Sequence, residues 1–65
     1  MTVDEIKARV EEIARERDDD ERAHGMEDKL WEDVLQAIAE GHSAPAEIAR
    51  QALASRAIKF SRWGA

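Results

Sequence analysis

Val3, Ile6, Val10 and Ile13 lie 3, 4 and 3 residues apart, and Ala23, Met26, Leu30, Val34 and Ala37 resume the same rhythm further along. Only an α-helix brings side chains so spaced onto one face. That periodicity constrains the chain more than its composition does, because 38% charged residues would otherwise point towards disorder. With only 65 residues and no Cys, the stripes have to bury themselves against one another or against another molecule. Two heptads are too short to persist alone. Without Cys there is no disulfide, thiolate metal site or thiol nucleophile. A core of this size is marginal by itself, so self-association is expected.

The boundaries follow from where the stripes fail. Thr2 is placed to N-cap the first helix, with Asp4 and Glu5 at the positive end of its dipole. Arg17 and Asp20 occupy the next seam positions, which predicts a first helix over about 3–17. Asp18-Asp19-Asp20-Glu21 has the composition of a cation site, but it lacks the Gly and terminal Glu of a calcium loop and reads as a helix start. The second stripe, widened by Trp31, Leu35 and Ile38, passes through Gly25 without a change of phase and predicts one helix over 20–40. Gly41 then supplies a C-cap, and Ser43 with Pro45 reads as the N-cap and first-turn Pro of a third helix over 44–57. Ile48, Ala49, Ala52, Leu53 and Ala57 form its apolar face.

The remaining residues admit two conformations. A continued helix would align Phe60 with Ala49, Leu53 and Ala57, whereas an extended tail would turn Ile58 and Phe60 inward and Lys59 and Ser61 outward. Either way, three large apolar side chains, Ile58, Phe60 and Trp63, are expected to dock on the first two helices. The expected fold is all-α: one domain over 1–65, three helices and a C-terminal aromatic tail packed back on them.

Charge divides the chain at the second turn. Residues 1–42 hold fourteen carboxylates against six Lys and Arg, while residues 43–65 hold Glu47 against Arg50, Arg56, Lys59 and Arg62. An acidic body thus carries a basic, aromatic C-terminal segment. Arg56, Lys59, Phe60, Arg62 and Trp63 are the candidate partner-binding residues, since Arg and aromatic side chains are the types that anchor interfaces. The opposing charges also permit the tail of one copy to lie on the body of another, or the first helices to pair across a two-fold axis.

Several classes of function find no support. No run approaches the roughly 20 apolar residues of a membrane span, and the acidic start lacks the basic region of a signal peptide, so a cytoplasmic protein is expected. The three scattered Gly form no phosphate loop, and Ser43, Ser55 and Ser61 sit in no nucleophile elbow. Asp20, His24 and Asp28 share one helix face with Glu27 close by, a pattern able to raise a His pKa or to contribute to a divalent-metal site. One chain offers only two or three such ligands, and a solvated helix face accounts for them. The expectation is a non-enzymatic binding module without metal or cofactor.

Two resemblances bear on the partner. Ala46-Glu47-Ile48-Ala49-Arg50, followed by Ser55-Arg56-Ala57 and Arg62-Trp63, resembles the helix-turn-helix of bacterial regulators. It implies a DNA-reading helix with Arg56, Lys59 and Arg62 towards phosphates or base edges. Leu53, however, stands where that turn carries Gly, and one continuous helix explains the same residues. The longer run from Asp19-Asp20-Glu21-x-Ala23-His24 through Glu27-Asp28-x-Leu30 and Val34-Leu35-x-Ala37-Ile38-Ala39 to Ile58-x-Phe60-x-Arg62-Trp63-x-Ala65 resembles a family of very short helical proteins of high-GC actinobacteria and their bacteriophages. That likeness implies a small accessory protein of bacterial or phage origin and transfers no catalytic residue; if the gene is a phage's, the expected protein partner is a host factor. Three readings follow: a protein-interaction module, a nucleic-acid binder using the third helix and tail, and an acidic mimic whose carboxylates imitate phosphates.

Overall fold

The computed structural model describes residues 1–62. Three helices form, α1 (Val3–Arg15), α2 (Asp20–Ala39) and α3 (Pro45–Leu53), and a 3₁₀ turn (Ala54–Ala57) leads into an extended tail. Each helix packs against the other two. Among the described residues there is no strand, and no helix is long and apolar enough to cross a membrane.

The helix ends follow from local chemistry. Thr2 and Glu5 form a reciprocal capping box: the Thr2 hydroxyl accepts from the Glu5 amide at 3.1 Å, and the Glu5 carboxylate accepts from the Thr2 amide at 2.9 Å. α1 stops at Arg15, two residues earlier than the charge pattern alone predicts, and turns over 16–18 hand the chain to Asp19. Asp19 caps α2 by accepting from the Arg22 amide at 3.1 Å, so one member of the acidic run is spent on helix initiation. α2 ends in a Schellman arrangement. The His42 amide reaches the Ala37 carbonyl and the Gly41 amide reaches that of Ile38, each at 3.0 Å. Gly41 takes φ +91°, the left-handed conformation that motif demands.

Two expectations about α3 are corrected. Ala44, not Ser43, occupies the N-cap, without a side-chain hydrogen bond. Instead, the ring of His42 accepts from the Ala44 amide at 2.9 Å, and Pro45 opens the helix. Nor does the α-helix continue to Ala57: beyond Leu53 it tightens into the 3₁₀ turn, which buries Ser55 and leaves Ala57 exposed. Of the two tail conformations, the extended one forms.

The core is aliphatic and small. Ile6 and Ile13 from α1, Ala23, Leu30 and Val34 from α2, and Ile48 and Ala52 from α3 are buried. Val3, Val10, Met26, Trp31, Ile58 and Phe60 pack around them half-buried. The tail therefore closes the core as expected, through Ile58 and Phe60, with Lys59 turned to solvent. Trp63 lies outside the described residues.

Candidate interaction surfaces

Glu27 is a carboxylate in the core. It falls on the buried seam of α2, four residues after Ala23 and three before Leu30, and is only 3% exposed. A charge so placed has to be neutralised and hydrogen-bonded, and residues distant in sequence do so. The Arg62 guanidinium forks onto it, Nε to Oε1 at 2.7 Å and Nη2 to Oε2 at 3.0 Å. The Ser55 hydroxyl donates to Oε2 at 2.6 Å, and in turn the Trp31 indole donates to Ser55 Oγ at 3.1 Å and to the Ala52 carbonyl at 3.2 Å.

Arg62 also donates to the carbonyls of Ser55 at 3.0 Å and Ile58 at 3.2 Å, tying its own head group to the end of the 3₁₀ turn and the residue that follows it. Its guanidinium lies 3.8 Å from the Phe60 ring centroid, a cation–π contact. Burial pushes the Glu27 pKa up, but hydrogen bonds from Arg62 and Ser55 and the charges of Arg62 and His24 outweigh it, leaving the group below the usual carboxylate range. Donating to the Glu27 carboxylate likewise raises the Arg62 pKa above its ordinary value, against a smaller opposing effect of burial. A further clasp, the Ser61 amide donating to Asp20 at 3.0 Å, ties the tail to the start of α2.

The candidate binding residues thus part company. Phe60 and Arg62 come together, but facing the chain's own core and Glu27. Arg56, on the 3₁₀ turn, and Lys59, on the tail, remain exposed. The turn of Ala54–Ala57 also takes the place of the helix that a DNA reader would insert into a groove. The His24 constellation forms in part. His24 lies 3.4 Å from Asp28, whereas Asp20 is engaged with the tail. Among the described residues, no three His, Asp or Glu side chains converge in a way that would hold a metal.

Of the α2–α3 seam, the sequence singled out Trp31 alone as a possible contact residue, yet the seam as a whole is open and apolar. Trp31, Leu35 and Ile38 of α2 face Ala49 and Leu53 of α3 across a groove of about 170 Å³ floored by Val34 and Ala52. Its wall is almost wholly apolar. The groove exists because α3 presents Ala opposite the larger residues of α2, so the two helices meet without filling the seam. Leu35 is 66% exposed and Leu53 44%. The signal available in the sequence was the width of the α2 stripe: Leu35 extends it past the arc that two neighbouring helices cover.

Charge flanks this groove asymmetrically. At helical spacing, Asp28 and Glu32 run beside Leu35 on the outer edge of α2, while Arg50 and Arg56 run beside Leu53 on the α3 side, and all four are exposed. A larger depression of about 410 Å³ lies between α1 and α2 around Gly25 and Met26. The cations on its rim are paired, Arg9 to Asp33 at 2.8 Å, Lys29 to Asp33 at 2.9 Å and Arg22 to Glu16 at 3.1 Å. Comparison with protein families, with curated proteins and with solved structures returned no match.

Proposed function

We propose that this protein is a non-enzymatic helical interaction module of the cytoplasm, and that its working surface is the α2–α3 groove rather than the basic tail. The observation that carries the reading is the pair of exposed leucines on an apolar groove between charged lips. Scattered surface leucines need no explanation, but two that overhang one continuous apolar channel do. At about 170 Å³ the channel is smaller than the roughly 300–1,000 Å³ typical of small-molecule sites. It suits protruding aliphatic or aromatic side chains of a protein partner. The tail supports this reading by being occupied elsewhere: the guanidinium of Arg62 and the ring of Phe60 are held within the chain.

Nucleic-acid binding has less behind it. Arg56 and Lys59 are the tail-side cations left facing solvent, and they adjoin a body whose fourteen carboxylates in residues 1–42 repel phosphates. The acidic-mimic reading needs free carboxylates, whereas Asp19, Asp20, Glu27 and Asp33 are each engaged in cis.

Photo-crosslinking tests the proposal. Benzoylphenylalanine at position 53, irradiated in the native cell, is expected to form a discrete protein adduct that Leu35→Glu abolishes while the helical circular dichroism is retained. The same probe at Asp18, on the exposed turn between α1 and α2, should form none. Equal adducts from both positions, or an adduct indifferent to Leu35→Glu, would overturn it.

A further inference from the structure

We infer that the occupant of the groove is a second copy of this chain, related by a two-fold axis that runs along the groove. The inference rests on the groove being an interaction surface and adds the partner, its orientation and the ion pairs that select it.

Charge identifies the partner. The outer edge of α2 bears Asp28 and Glu32, and the facing side bears Arg50 on α3 and Arg56 on the 3₁₀ turn that follows it. A face with one acidic and one basic lip on either side of an apolar channel is complementary to its own rotated image. The relative level of the two lips is set by contacts across the seam. Glu27 meets Ser55 at 2.6 Å and Trp31 meets the Ala52 carbonyl at 3.2 Å, so α2 and α3 run antiparallel, with residue 28 level with the 3₁₀ turn and residue 32 near residue 51.

Two ways of laying one such face on another can be compared. A two-fold axis across the helices would set α2 on α2 and α3 on α3, opposing like charges on both sides. An axis along the groove sets α2 of each copy on α3 of the other without changing level. Asp28 then faces Arg56 and Glu32 faces Arg50, twice over, while over the apolar channel Leu35 of one copy comes level with Ala49 of the other and Leu53 level with Trp31. The first arrangement is repelled and the second attracted, so electrostatics chooses the geometry and the leucines supply the apolar contact. Self-association of this kind also supplements a core in which, among the described residues, seven aliphatic side chains are buried.

Sedimentation equilibrium with two charge-reversed chains tests the arrangement. One chain carries Asp28→Lys and Glu32→Lys, making both of its lips basic; the other carries Arg50→Glu and Arg56→Glu, making both acidic. The wild type is expected at twice the 7.3 kDa chain mass, and each reversed chain alone as a monomer or with its dimer Kd raised at least about tenfold. An equimolar mixture of the two should restore the dimer, because every lip again meets its opposite. Far-UV circular dichroism verifies that both variants are folded.

A wild type that stays monomeric to about 1 mM would overturn the inference. So would a mixture that stays monomeric while Leu35→Glu dissociates the wild-type dimer, since the copies would then meet in another geometry. A monomeric wild type that still gives a heavier photo-adduct from position 53 would leave the groove as an interaction surface and remove only the second copy. Loss of both dimer and adduct would remove both readings.

Discussion

Glu27 and Arg62 stand 35 residues apart and meet in a two-pronged ion pair. Their contribution is mainly to specify where the tail lies, since a buried pair recovers little more than its own desolvation. Removing one partner is another matter, because the carboxylate still sits on the seam of α2 with only Ser55 donating to it from the rest of the chain. Arg62→Ala is expected to destabilise the fold by about 2–3 kcal/mol, read from urea unfolding. The same substitution should lift the Glu27 pKa above the ordinary 4.5, since burial raises it and Arg62 is the chief opposing influence. Side-chain carboxyl NMR follows that shift directly. Arg62→Lys restores the charge but not the fork or the donors to Ser55 and Ile58, so it should recover only part of the loss. An Arg62→Lys protein as stable as the wild type would mean that charge alone holds the tail. This pair was half legible in the sequence. Glu27 falls in phase with Ala23, Leu30 and Val34, but a carboxylate on an apolar seam reads as solvated until its distant partner is known. Arg62 reads as a surface cation for the same reason.

At the level of elements, the two described glycines that meet helices have opposite roles. Gly41 carries φ +91° and permits the Schellman turn between α2 and α3. Gly41→Ala forces a side chain into the left-handed region and is expected to cost about 1–2 kcal/mol. Gly25 is in the middle of α2, and a Cβ added there meets no atom within 4 Å. Gly25→Ala should therefore stabilise the protein by about 1 kcal/mol, the helix-propensity difference. Thermal unfolding of both variants checks the pair, and destabilisation by Gly25→Ala would contradict the open space above α2. The existence of all three helices, the Thr2 cap and the Gly41 stop were readable from spacing and cap chemistry, because each depends on neighbours within a few residues, whereas the extended course of the tail was only one of two conformations its residues admit. The end of α3 was not. Gln51-Ala52-Leu53-Ala54 favours continued helix, and the tightening into a 3₁₀ turn is tied to Ser55 reaching Glu27 on another helix. The groove is not legible in the sequence for a similar reason: Ala49 and Ala52 are ordinary helix formers until they are set opposite Trp31 and Leu35.

For the whole molecule, acid is the condition that acts on these contacts together. Glu5, Glu27 and Asp33 all titrate below their ordinary values of 4.5, 4.5 and 3.8. For Glu5 the cause is the hydrogen bonds with Thr2, and for Asp33 it is those from Lys29 and Arg9. A group whose pKa is depressed on folding stabilises the native state fully above its unfolded value, and that stability is lost as pH falls through the folded value. Stability should thus hold steady at neutral pH and decline below about 4.5, as protons enter these carboxylates preferentially in the unfolded chain. Lys29, whose pKa is raised chiefly by its hydrogen bond to Asp33, loses its contribution only as pH rises beyond 10.5, so the upper limit lies in strong base. Glu27 is the buried member, and its share can be isolated. The difference in unfolding free energy between wild type and Glu27→Gln should be constant from pH 7 to about 5 and shrink progressively below 4.5, because in acid the wild-type carboxyl becomes as neutral as the amide. Urea titrations across that range, at concentrations too low for self-association, measure the difference. A gap that stayed constant down to about pH 2.5 would show that the Glu27 contribution does not depend on its charge. The tail would then be held by the packing of Ile58 and Phe60, with the Arg62 fork contributing orientation alone.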